Sequence, residues 1–147
     1  MSRAQQAKEN FMNGLNCTQA VVLAFADLTG VPEEALKAAA LPLGGGLGRL
    51  RETCGAVSGA AMALGLLFPG TGKPEMYALV QEMARRFRER YPSLNCGQLL
   101  SGAGLAVDRA PDPERRTQEY YRKRPCPELV YDAAAIVEAI CAERGRL

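Results

Sequence analysis

Apolar residues recur along this chain at three- and four-residue steps, and nowhere do apolar and polar positions alternate long enough to make a strand. The clearest stretch covers residues 74–90, with Met76, Leu79, Val80, Met83 and Phe87 on one side and Glu and Arg on the other. That spacing predicts an amphipathic helix with one buried face. A second, residues 127–144, puts Leu129, Val130, Ala133, Val137, Ile140 and Cys141 on a common stripe. Residues 4–13 form a short helix with Ala7 and Phe11 inward, and residues 17–28 a largely apolar one stopped by Gly30. Pro32, followed by Glu33 and Glu34, opens a helix that stops near Leu41-Pro42. The uncharged run from Cys54 to Phe68 is too short for a comfortable membrane span and reads as a buried helix ended by Pro69-Gly70. Another helix opens at Cys96 and fades near Val107, ahead of a loop over residues 108–117. The expectation is an all-α fold: one domain over residues 1–147, a bundle of about six or seven helices.

The helix starts carry the second pattern. Asn16-Cys17-Thr18-Gln19 and Asn95-Cys96-Gly97-Gln98 repeat one signal: an Asn cap, a Cys in the first turn, and a Gln able to close a capping box. Thr53-Cys54-Gly55-Ala56 offers a third cap, and Cys126 precedes Pro127 and Glu128 at a fourth. Unpaired amides give a helix N-terminus partial positive charge, which stabilises a thiolate. Arg49 and Arg51 before Cys54, and Arg122, Lys123 and Arg124 before Cys126, push the same way. All four cysteines are therefore expected to lean toward the anion. Cys141, on the apolar stripe near the end of the last helix, is expected to be structural.

Composition narrows the chemistry. The chain of 147 residues has five cysteines and no histidine. Histidine-assisted nucleophiles, His-containing metal sites and C-x-x-C-H haem attachment are thereby removed. The polar N-terminus has no apolar leader segment, so the expected location is cytoplasmic, where cysteines serve metal binding, redox cycling or packing rather than a disulfide framework. With 18 Lys and Arg against 16 Asp and Glu, the net charge is +2, which calls for neither nucleic acid nor membrane. Arg85, Arg86, Arg88 and Arg90 with Glu82 and Glu89 read as a solvated helix face, and Tyr120 and Tyr121 as anchors of a long loop. The glycines of residues 44–48 match no phosphate-loop spacing; Gly46, Gly48 and Gly55 are instead candidates for close backbone approach to a bound cofactor. Gly55, Gly59 and Ala63 form a small-residue stripe suited to a close helix neighbour.

These residues carry a resemblance. The Asn16-Cys17 start, the segment from Gly48 through Cys54-Gly55-Ala56 to Gly59, and then Cys96 and Cys126 resemble the C_GCAxxG_C_C family of redox-active proteins over residues 11–140. The family pattern reads Gly-Cys-Ala where this chain has Cys54-Gly55-Ala56. The resemblance implies a redox role, as an oxidoreductase or an electron-transfer protein. Cys17, Cys54, Cys96 and Cys126 are the candidate catalytic and metal-binding residues. One reading makes them ligands of iron or an iron–sulfur cluster, with zinc ranked below and no haem. A second makes them a thiol–disulfide site with an attacking and a resolving cysteine. The third is a non-catalytic helical module whose cysteines hold zinc or merely pack. The redox partner, protein or small molecule, is left open, as is a homodimer.

Overall fold

The computed structural model describes residues 1–147. Its helices are α1 (Arg3–Met12), α2 (Cys17–Leu23), α3 (Ala26–Thr29), α4 (Glu33–Ala40), α5 (Gly55–Leu67), α6 (Lys73–Arg88), α7 (Cys96–Gly102), α8 (Gln118–Lys123) and α9 (Cys126–Glu143). The fold is all-α, as the periodicity predicts. Between α4 and α5 the chain turns through Leu41–Leu43 and a glycine segment where Gly45 and Gly46 have φ of +67° and +72°. No helix is long and apolar enough to cross a membrane.

Helix boundaries follow local chemistry. Asn16 accepts from the Gln19 amide while the Gln19 side chain accepts from the Asn16 amide, a complete capping box. At Asn95 only half of that device forms, because Gln98 turns to Ser93 instead. The predicted helix over residues 17–28 is divided at Ala24-Phe25. There the amides bond three residues back rather than four, Arg3 takes the Ala24 carbonyl at 3.1 Å, and Phe25 turns fully into the core. The helix that opens at Cys96 ends at Gly102, five residues short of Val107. Gly104 at φ +80° lets its own amide reach Ser101 and that of Leu105 reach Leu100, closing the end in a Schellman motif. Helix α8 was not legible in the sequence; Thr117 caps it by accepting from the Tyr120 amide. These last additions raise the helix total above six or seven.

The core gathers α1, α2, α5 and α9, with α6 packed on α5 and α9. Phe11, Phe25, Leu64, Leu67, Met83, Phe87, Val137 and Ile140 fill it. The basic face of α6 is paired with acids: Arg85 with Glu82 and Glu89, Arg86 with Glu82 and Glu143. Arg90, beyond its end, pairs with Asp132.

Helix α2 packs closely on α5. A Cβ on Gly59 would lie 2.8 Å from the Thr18 carbonyl oxygen, and one on Gly55 would lie 2.8 Å from Thr18 Oγ1 and 3.0 Å from Cys17 Cβ. The fully buried Thr18 hydroxyl donates to the Gly55 carbonyl at 3.0 Å. The small-residue stripe thus presses the start of α2 against the start of α5. Gly59→Ala forces that contact apart and is expected to cost about 1–3 kcal/mol, the range for overpacking a close contact. Urea unfolding reads it as a lowered midpoint at unchanged slope.

Candidate functional site

Four helix starts meet at one end of the bundle. The α2 contact sets Cys17 beside Gly55, hence beside Cys54. A short antiparallel pairing of Thr53 with Asn95 then fixes α7: the Cys54 amide donates to the Leu94 carbonyl at 2.7 Å and the Cys96 amide to the Glu52 carbonyl at 2.6 Å. Helix α9 brings Cys126 from the other side. Cys54 is the cap of α5 rather than its first residue, and its side chain makes no capping bond.

Cys17, Cys54, Cys96 and Cys126 all line one cavity of about 590 Å³. Phe11, Leu99, Leu100 and Leu129 supply apolar wall, and Arg49, Arg51, Arg116 and Arg124 supply charge. Gly48 and Gly55 border it; Gly46 does not. Gly46 is instead a packing glycine, since a Cβ there would lie 2.7 Å from Cys96 Cβ and 2.7 Å from the Glu52 amide. Cys141 lies wholly in the core, about four helical turns from Cys126, and does not border the cavity.

The expected anionic bias holds at Cys126 and fails at Cys17, Cys54 and Cys96. Only Cys126 has its pKa lowered, first by a hydrogen bond from the Cys17 thiol and then by the Arg124 and Arg116 guanidiniums, against the cost of burial. Cys17, the donor, is pushed well up by that same bond, by burial and by the neighbouring sulfurs. Cys54 is pushed up to about 12 by burial and by Cys126; the Ala56 and Val57 amides pull back only partly. Burial also raises Cys96, although Arg51 opposes it. Desolvation and mutual repulsion beat the helix ends, because neighbouring sulfurs cannot all hold charge in one pocket. The basic residues act differently from the sequence expectation as well. Arg51 reaches Cys96, with Nη1 at 3.7 Å from Sγ, rather than Cys54. Of the three basic residues before Cys126, Arg122 and Lys123 are exposed and only Arg124 turns inward.

The outer wall is the segment expected as a loop. Residues 106–116 make no main-chain hydrogen bond to the bundle. They are held by arginines: Arg51 Nε donates to the Asp108 carbonyl at 2.9 Å, Arg124 pairs with Glu114, and Arg116 donates to the Phe11 and Leu15 carbonyls at 3.0 and 3.1 Å. The Arg116 guanidinium also lies 4.3 Å from the Phe11 ring centre and near Tyr120 and Tyr121. Tyr121 donates to the Met12 carbonyl at 3.2 Å, so the tyrosines do anchor this segment. Arg116 and Glu114 were missed as cavity residues; their only sequence signal is their place in a Pro-rich stretch.

Chemically, the donor set does not converge as a metal site: no three of the Cys, Asp and Glu side chains come together as ligands of one ion. All five cysteines are free thiols. What the arrangement offers is four free thiols on one cavity, of which Cys126 alone has its pKa lowered.

Fold and site together define an all-helical cysteine protein whose thiols are gathered on a cavity. The chain belongs to the family described as "Putative redox-active protein (C_GCAxxG_C_C)", whose model matches residues 15–140. No curated protein and no solved structure matches it.

The thiol order has a direct readout. Cys126 is expected to be the first residue alkylated by iodoacetamide, reaching half its maximal rate below about pH 8.5, the free-cysteine value. Arg124→Gln removes a cation that favours the thiolate, so the midpoint should move up and the rate at pH 7 should fall. Peptide mapping of alkylated protein across pH measures both.

Proposed function

We propose that this protein carries out thiol–disulfide redox chemistry, with Cys126 as attacking thiolate and Cys17 as resolving thiol. The observation that carries this reading is the shared cavity, which Cys17, Cys126 and Arg124 all line; Cys126 is the one cavity thiol whose pKa is lowered, with Cys17 and Arg124 as the favouring neighbours. A thiolate is the nucleophile in such exchange, and a neighbouring thiol is needed to release the mixed disulfide. Membership of a family described as redox-active supports the same class of chemistry.

The reaction balances with a disulfide as oxidant. Cys126 attacks one substrate sulfur, the substrate S–S bond breaks, and the departing thiolate takes the Cys17 proton. The Cys17 sulfur then attacks Cys126 and expels the second substrate thiolate, which is protonated from solvent. The electron pair passes to the substrate, leaving two substrate thiols and a Cys17–Cys126 disulfide. Cys54 and Cys96 stay protonated in the wall. The single-ion iron and zinc readings have less support, because no three of these side chains come together as ligands of one ion.

Mass spectrometry of protein treated with a disulfide tests the assignment. Wild type should form the internal Cys17–Cys126 bond, Cys17→Ser should stop at a mixed disulfide on Cys126, and Cys126→Ser should form neither. Cys141→Ser should behave as wild type. Anaerobically isolated protein with stoichiometric iron and sulfide, lost equally in all four cavity-cysteine variants, would overturn the reading.

A further inference from the structure

The charges on the cavity wall do not balance. Arg49, Arg51, Arg116 and Arg124 face one acid, Glu114. Glu114 pairs with Arg124, and Asp108, outside the cavity, lies 3.6 Å from Arg49. The Arg116 guanidinium is occupied by the carbonyls and aromatic rings named above. Arg51 remains. It is 4% exposed and no carboxylate of the chain pairs with it. Its Nε meets a carbonyl and its Nη1 meets Cys96, a thiol that burial keeps neutral at neutral pH. Beside it, Arg49 Nε is buried without any hydrogen-bond partner.

A guanidinium stays charged at any working pH, and a buried charge is ordinarily met by an opposite one. The backbone adds an independent sign. Leu47, Arg49 and Arg51 hold φ of +70°, +65° and +62°, a region that side-chain-bearing residues avoid. Such conformations persist where surrounding structure enforces them, and they cluster at ligand sites. Here the strained turn delivers both arginines to the cavity.

We propose that the cavity's substrate is a small anionic disulfide, with a carboxylate anchored on Arg51 and its aliphatic body along the apolar wall. The redox part rests on the dithiol reading; the anion site does not. The cavity volume suits a small organic molecule. A sulfur recessed there, with Cys126 only 8% exposed, is out of reach of a disulfide on a protein surface. A bidentate guanidinium–carboxylate pair supplies orientation as well as attraction.

Matched reagents of different charge provide the test. Dithiodipropionate is a dianion, hydroxyethyl disulfide is neutral and cystamine is a dication, with similar backbones. Their rates of oxidising the Cys17–Cys126 pair, each normalised to its rate with a free thiol, should fall in that order. The anion should lead the neutral reagent by about tenfold or more at low salt, and the lead should shrink as salt rises. Arg51→Met should collapse the anion-to-neutral ratio toward one, while Arg51→Lys keeps part of it. Suberate, the unreactive carbon analogue of dithiodipropionate, reads the anion site alone: calorimetry should detect it binding to wild type and not to Arg51→Met.

Rapid oxidation by all three reagents without charge preference would overturn the anion proposal and leave the dithiol reading intact. Arg51-dependent suberate binding in a protein whose thiols no disulfide oxidises would overturn the dithiol reading and leave the anion site. An unchanged ratio in Arg51→Met would move the anchor away from Arg51 and overturn its assignment.

Discussion

The backbone-to-backbone contact of α2 with α5 sets the geometry of everything else. At Gly55 and Gly59 there is no room for even a methyl group, and the buried Thr18 hydroxyl ties the two starts together. Because the contact lies in the first turns of both helices, it fixes Cys17 and Cys54 as neighbours without any bond between the sulfurs. The Thr53–Asn95 pairing then extends this fixed frame to Cys96, and the packing of α9 on α1, α2 and α5 brings up Cys126. A site assembled this way comes from main-chain contacts, which tolerate little displacement.

Once gathered, the sulfurs compete for one negative charge. Each helix end and each guanidinium favours an anion, but each neighbouring thiolate opposes it and burial penalises them all. The competition is decided by asymmetry. Cys126 alone combines a thiol donor with an inward arginine, whereas Cys54 has only amides and Cys96 only a guanidinium held partly elsewhere. One lowered thiol among raised ones is the pattern on which the proposed exchange chemistry rests. Four equal thiolates would be the pattern of a ligand set awaiting a cation.

Local signals were legible in the sequence, and long-range ones were not. The caps at Asn16 and Asn95, the Gly30 stop, the amphipathic α6 and the small-residue stripe all depend on residues a few positions apart. The split at Phe25 depends on Arg3 claiming a carbonyl twenty-one residues away. The sequence brings four cysteines to helix starts but says nothing about their mutual distances, so their burial and competition could not be read from it. The partner of Arg51 is hidden in the sequence for a similar reason. Proximity in sequence pointed to Cys54, while the left-handed backbone at residue 51 turns the side chain toward Cys96. Nor does the sequence show that the missing side chain of Gly46 makes room for Cys96.

The cavity's walls differ in how they are held. Three sides are helix starts locked by main-chain hydrogen bonds and close packing. The fourth, residues 106–116, is attached only through side chains, chiefly Arg51, Arg116 and Arg124. Local opening takes the least free energy where backbone hydrogen bonds and buried contacts are fewest. By that measure residues 106–116 are the wall of the cavity held least firmly. One of its arginine attachments, Arg51, also reaches a cavity sulfur, that of Cys96.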